Sequence, residues 1–149
     1  MIRFIALPLL VVLTVPVSAQ GGFPLDKSYR AISISGFDVQ KMGLSLTVSR
    51  NPGSDELKGS GHAGCNRWTA TVLLRDDQVD FTNIATTKMF CPAPKMKAED
   101  AFLTSLRSAK RWHVDGDKLI IEGDAARLLL KPGVAELKPD KKPAKHRAR

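Results

Sequence analysis

Cysteine is scarce in this chain of 149 residues, which holds only Cys65 and Cys91. With no CxxC pair and no HxxxH segment to join them, the usual structural zinc patterns are incomplete. Aromatic residues make up 6% of the sequence and include a single tyrosine. None of them is interleaved with the basic C-terminal run, so a stacking platform for nucleic acid is not expected. No apolar run reaches the ~20 residues that a membrane-spanning helix requires. No internal repeat is visible, which sets aside solenoid and propeller architectures. Neither His62 nor His113 has an evident Ser or Asp partner in sequence, and no catalytic constellation stands out.

What is present begins with an address. Arg3 precedes an apolar run from Phe4 to Val15, and Val17-Ser18-Ala19 supplies the small residues read by signal peptidase. A signal peptide over 1–19, cleaved after Ala19, is therefore expected, with a periplasmic or secreted product. No cysteine follows the cleavage point, so a lipid anchor is not expected. The formal charge of +8 is unevenly placed. Lys138, Lys141, Lys142, Lys145, Arg147 and Arg149 face Asp140 alone, leaving +5 in the last twelve residues. Arg3 accounts for one further unit, so the body of the chain is near +2. Residues 134–149 read as a disordered basic tail able to touch anionic lipid or cell-wall polymer.

Between a loose leader at 20–27 and that tail, residues 28–133 read as one mainly β domain. Tyr29 to Ile34, Leu44 to Val48, and Leu57 towards Gly61 alternate as strands. Trp68 to Leu74 turns at Arg75-Asp76-Asp77 into Gln78 to Phe81. Arg111 to Val114, Leu119 to Ile121 and Arg127 to Leu130 follow, separated by Asp115-Gly116-Asp117 and Gly123-Asp124. Short strands at this spacing predict an antiparallel sandwich or barrel of about seven or eight strands. One amphipathic helix is predicted from Lys95 to Ala109, with Phe102, Leu103 and Leu106 on its core face. Pro92 and Pro94 precede it. Glu99 and Asp100 early, with Arg107 and Lys110 late, suit the helix dipole.

The most specific stretch is GSGHAGCNRW at 59–68, with Gly61, Gly64, Cys65 and Asn66. IATTKMFCP at 84–92 follows, with Thr87, Lys88, Met89, Cys91 and Pro92, then Met96, Glu99, Phe102, Leu103 and Leu106, and finally WHVDGDKLII at 112–121. This series, over roughly 28–131, resembles the META/HslJ family. The resemblance implies a compact β-barrel-like fold with one helix and a place in the bacterial envelope. HslJ-type proteins are heat-inducible outer-membrane proteins linked to novobiocin resistance, and no catalytic residues are established for the family. Their fold is similar to that of lipid-binding pilot proteins of secretion systems, which adds a hydrophobic ligand as a possible cargo. The chain departs from the family pattern at His62, at Thr69-Ala70-Thr71 and in lacking the lipoprotein cysteine.

Cys65 and Cys91 have several readings. An even pair in an oxidising compartment favours a disulfide closing a loop of ~27 residues, contributing on the order of 3.5 kcal/mol. Free thiols, a redox or nucleophilic thiol, and metal ligation with His62 are the alternatives. His62 reads as a turn residue, Asn66 as a local turn hydrogen-bonder, and Thr86, Thr87 and Lys88 as a groove lining or a solvated strand edge. The expectation is a monomeric, non-enzymatic exported module without a cofactor. Its partner would be an envelope protein or a hydrophobic ligand. A lipid carrier and a thiol- or metal-dependent enzyme around Cys65, Cys91 and His62 are the rivals.

Overall fold

The computed structural model describes residues 21–133. The expected signal peptide and the basic tail, including Lys138, Lys141, Lys142, Lys145, Arg147 and Arg149, lie outside the described residues. Among the described residues, nine strands form one sheet: β1 (Ser28–Ile34), β2 (Phe37–Asp38), β3 (Ser45–Arg50), β4 (Leu57–His62), β5 (Arg67–Arg75), β6 (Gln78–Thr86), β7 (Ala109–Asp115), β8 (Lys118–Gly123) and β9 (Arg127–Pro132). β2 is a two-residue flap on the end of β1, where Ile34 faces Phe37 across the turn Ser35-Gly36. The other eight close into an antiparallel barrel, because β1 pairs with β9 from Tyr29↔Pro132 to Ile34↔Leu128. Closure removes the free edges that a sandwich would leave.

The strands form where inward apolar residues alternate with outward polar ones. Tyr29 and Ala31 on β1, Leu46 and Val48 on β3, and Trp68, Ala70 and Val72 on β5 all point into the core. β6 runs on to Thr86, beyond the Phe81 at which its clear alternation ends in sequence. Its outer half is held by pairing with β5 across a register shift between Thr69 and Thr71.

Since each strand runs opposite to its neighbours, the connections sort to two ends. One end, called upper here, gathers residues 35–44, 63–66, 87–108 and 124–126. The other gathers 51–56, 76–77, 116–117 and the two ends of the domain.

The barrel has one weak seam. β6 and β7 share a single aligned pair, Gln78↔Arg111, supported by the Trp112 N–H donating to the Asp77 carbonyl at 2.8 Å. The connection across that seam carries the helix α1 (Ala93–Arg107), which buries Phe102, Leu103 and Leu106. Phe102 meets Trp68 edge-on at 5.9 Å, and Trp68 meets Phe81 at 6.2 Å. These three rings fill the middle of the barrel, and α1 reaches β1, β6, β8 and β9. The helix therefore acts as the plug of the upper end.

Two details of the helix differ from the sequence reading. It starts two residues earlier than Lys95 and ends at Arg107, with Pro94 inside its first turn, where a missing N–H costs nothing. Its first turn holds no acidic residue, and Glu99 is buried in the middle, so Glu99 is not a dipole partner.

The segment read as a loose leader is held. Phe23 packs edge-on against Trp112 at 5.0 Å, and the Asp26 N–H donates to the Val48 carbonyl at 2.8 Å.

Gly61 is needed for close approach. A methyl group there would run into the Ser45 carbonyl, which already accepts the Trp68 indole N–H at 3.0 Å. Gly61→Ala is expected to lower stability by ~1–3 kcal/mol, because β3 and β4 must separate and strain that bond. Phe102→Ala, which opens a cavity beside Trp68, is expected to cost ~3–5 kcal/mol. Urea unfolding followed by tryptophan fluorescence checks both, and a neutral result for either would contradict this packing.

Candidate functional site

Gly64, Cys65, Asn66, Thr87, Met89, Cys91, Pro92 and Glu99, scattered over 36 residues of sequence, meet at the upper end of the barrel. The turn between β4 and β5 brings Gly64 with a φ of 99°, a left-handed value that a side chain would strain. A Cβ there would also press on the Leu44 side chain. That turn aims Asn66 inward, where it is 3% exposed, against the equally buried Glu99.

Asn66 and Glu99 form a two-point clasp. The Asn66 backbone N–H donates to Glu99 Oε2 at 2.7 Å, and the Asn66 side-chain amide donates to Oε1 at 2.8 Å. The other end of the amide holds the segment after β6. Asn66 Oδ1 accepts the Met89 N–H at 2.6 Å and the Thr87 hydroxyl at 2.9 Å, while Thr87 Oγ1 accepts the Arg67 N–H at 3.2 Å. The amide thus joins the β4–β5 turn, the post-β6 segment and α1. Asn66 is therefore more than the local turn residue its sequence position suggests.

A disulfide staples the same place. Cys65 and Cys91 are bonded, with Cα atoms 5.8 Å apart. The bond leaves neither sulfur as a thiolate, so neither is a nucleophile or metal ligand in this state.

His62, at the end of β4, has its backbone N–H on Ser45 Oγ at 3.0 Å and accepts the Gly64 N–H on Nδ1 at 3.2 Å. Burial, then the positive charges of Lys95 and Arg67, push its pKa below the usual 6.5. A neutral ring is also what the Gly64 bond requires, since a protonated Nδ1 cannot accept. His113 lies half-buried on β7, away from this turn in the fold. Among the described residues, no three His, Cys, Asp or Glu side chains converge as a metal site would need.

Lys88, Met89 and Phe90 are the part of the motif that faces water, Phe90 being 96% exposed. No periodicity in the sequence marks Phe90, which reads there only as the variable residue before Cys91.

This lock is built from residues that carry the sequence resemblance described above. The META domain model matches residues 24–134. The chain belongs to the META domain family. An NMR structure of a protein from Burkholderia xenovorans is similar, with a TM-score of 0.58 and 19% identity, over 81% of this chain and 99% of that one. A second NMR structure matches with a TM-score of 0.53 and 17% identity, over 70% of this chain and 87% of that one. At these identities the likeness speaks for the fold alone. No curated protein matches the sequence.

In this META domain, Asn66 and Glu99 depend on each other, because either one alone would be a buried polar group without its partner. Asn66→Ala is expected to cost ~3 kcal/mol. In a double-mutant cycle with Glu99→Gln, the two changes are expected to be less than additive by ~1–2 kcal/mol. Additivity within error would show that the clasp is energetically idle.

The lowered pKa of His62 means that the unfolded chain binds a proton at this site more readily than the folded one. Its contribution to stability is therefore complete above the unfolded value near 6.5 and declines as pH falls below it. Wild type should lose more stability than His62→Gln between neutral pH and pH ~5.5 in matched urea titrations. Equal losses would remove His62 as the acid-sensitive group.

Proposed function

We propose that this META domain protein is a non-enzymatic module of the bacterial envelope, exported through its N-terminal segment and acting through its surface. The observation that carries this reading is the use made of the family's polar residues. Cys65, Asn66, Thr87, Cys91 and Glu99, the groups with chemistry to offer, are all engaged with one another in a lock whose Cys65, Asn66 and Glu99 are buried. An active site of the kind such residues could build would keep a nucleophile, a base or a carboxylate open to a substrate.

The interior supports the same reading. Trp68, Phe102, Leu44, Leu46, Leu106, Leu119, Ile121, Leu128 and Leu130 are fully buried together, and α1 plugs one end. Two depressions among the described residues lie outside the barrel. One is lined by residues 50–55, and the other lies between Leu57, Lys58, Thr69 and Asn83. A filled core argues against carriage of a lipid within the barrel. The disulfide favours an oxidising compartment, as the signal sequence does.

An intact mass of the protein from the envelope fraction, taken without reductant, tests this reading. The expected chain starts at Gln20, is two hydrogens lighter than its sequence mass and carries no bound ligand. Recovery in the cytoplasm with residues 1–19 attached would refute export. A hydrolase or redox activity lost in Cys65→Ser would refute the non-enzymatic role.

A further inference from the structure

Phe90 stands almost wholly in water at 96% exposure, next to Met89 at 53%. Such a side chain is ordinarily expected on a mobile loop, yet this one sits between two fixed points. The Met89 N–H is bound to Asn66 Oδ1 at 2.6 Å, and Cys91 is bonded to Cys65. Phe37, 77% exposed, lies on the β1–β2 flap at the same end of the barrel.

Charge is arranged around this apolar tip. Residues 84–98 carry Lys88, Lys95 and Lys97, all exposed, and no acidic residue. Arg67 is exposed beside Thr87, and the Lys95 carbonyl lies near Gly64. At the opposite end, the connections 51–56, 76–77 and 116–117 carry Asp55, Glu56, Asp76, Asp77 and Asp117, with no Lys or Arg among them. The segment around the aromatic tip is thus basic, while the same end also holds exposed Asp38, Asp100 and Asp124; the turns of the other end carry acidic residues alone.

We propose that the upper end docks on an anionic lipid surface, with Phe90 and Met89 entering the headgroup–acyl boundary and Lys88, Lys95, Lys97 and Arg67 contacting the headgroups. The size of the tip favours a bilayer over a folded partner. A stable protein interface covers about 800 Å² per side, whereas a phenylalanine supplies about 150–250 Å². A bilayer needs only a few inserted side chains, since basic residues near its surface add to the same attraction. Fixing the loop beforehand removes the ordering cost that a flexible insertion loop would bear on binding.

This docking rests on the envelope reading for its setting, but its test is separate. The full mature chain is mixed with phosphatidylcholine vesicles with and without phosphatidylglycerol, and bound protein is measured by sedimentation. Binding is expected only with phosphatidylglycerol. Phe90→Ala should weaken it roughly tenfold with no change in melting temperature, and each of Lys88→Glu and Lys95→Glu at least fivefold. Phe90→Trp should show a blue-shifted emission quenched by bromine-labelled acyl chains. The docking face is overturned if Phe90→Ala binds as wild type does, with Lys141→Glu/Lys142→Glu removing binding instead, since the tail would then be the contact. It is equally overturned if Phe90→Trp stays in water, or if neither vesicle binds and the protein dimerises through Phe90. Correct export together with any of these results would retire the docking face alone. Vesicle insertion by a chain that is not exported would retire the envelope reading alone.

Discussion

A buried carboxyl group is tolerated only where donors reach it, and the whole upper end of this barrel is organised around supplying them to Glu99. Asn66 provides two, one from its backbone and one from its amide. The remaining face of the same amide accepts from Thr87 and Met89. A single side chain thereby fixes the position of α1 relative to the turn before β5 and of the segment leading into the helix. This matters because β6 and β7 hold each other by one aligned pair, so the helix between them has no continuous strand ladder to set its place. Apolar contact of Phe102 and Leu106 supplies the energy of burial, but such contact is non-directional. The clasp supplies the direction.

The disulfide and the clasp restrain different things. The Cys65–Cys91 bond closes the loop that contains the β5–β6 hairpin, and its stabilisation, on the order of 3.5 kcal/mol, acts largely through the unfolded chain. Glu99 lies outside that loop, so the bond cannot by itself position the helix. Against a total stability of ~5–15 kcal/mol typical of a domain, loss of the disulfide would be serious while leaving the folded geometry defined. Loss of the clasp would leave polar groups buried without partners, which disfavours the folded state directly. The two restraints are adjacent in sequence, at Cys65 and Asn66, and complementary in mechanism.

Sequence patterning revealed those features whose cause is local. Strand alternation at Tyr29, Leu46, Val48 and Trp68 and the stripe of Phe102, Leu103 and Leu106 appear where their periods place them. Turns at Asp76 and Gly116 have the positive φ values their residue types allow. Barrel closure through β1 and β9 was not legible beyond a choice between barrel and sandwich, because the two strands are about a hundred residues apart and alternate alike in either architecture. The same distance hid the role of Glu99. Thirty-three residues separate it from Asn66, and a glutamate near a helix start looks the same whether it faces water or a buried amide. The packing of Phe23 on Trp112 is hidden for a similar reason, since one aromatic in a glycine-flanked stretch has no period to report.

What the lock leaves free is as informative as what it holds. Of the segment from Thr87 to Pro92, the hydroxyl of Thr87, both backbone polar groups of Met89 and the sulfur of Cys91 are turned to the interior. Lys88 and the side chains of Met89 and Phe90 remain outside. Burial of Phe90 would contribute to stability, yet the arrangement that fixes its two neighbours keeps it in solvent. Folding therefore does not explain this side chain, whereas it explains every apolar residue of the core. A rigid support beneath an exposed aromatic is what the proposed docking at the helix-plugged end requires, because it spares the ordering cost of a flexible loop.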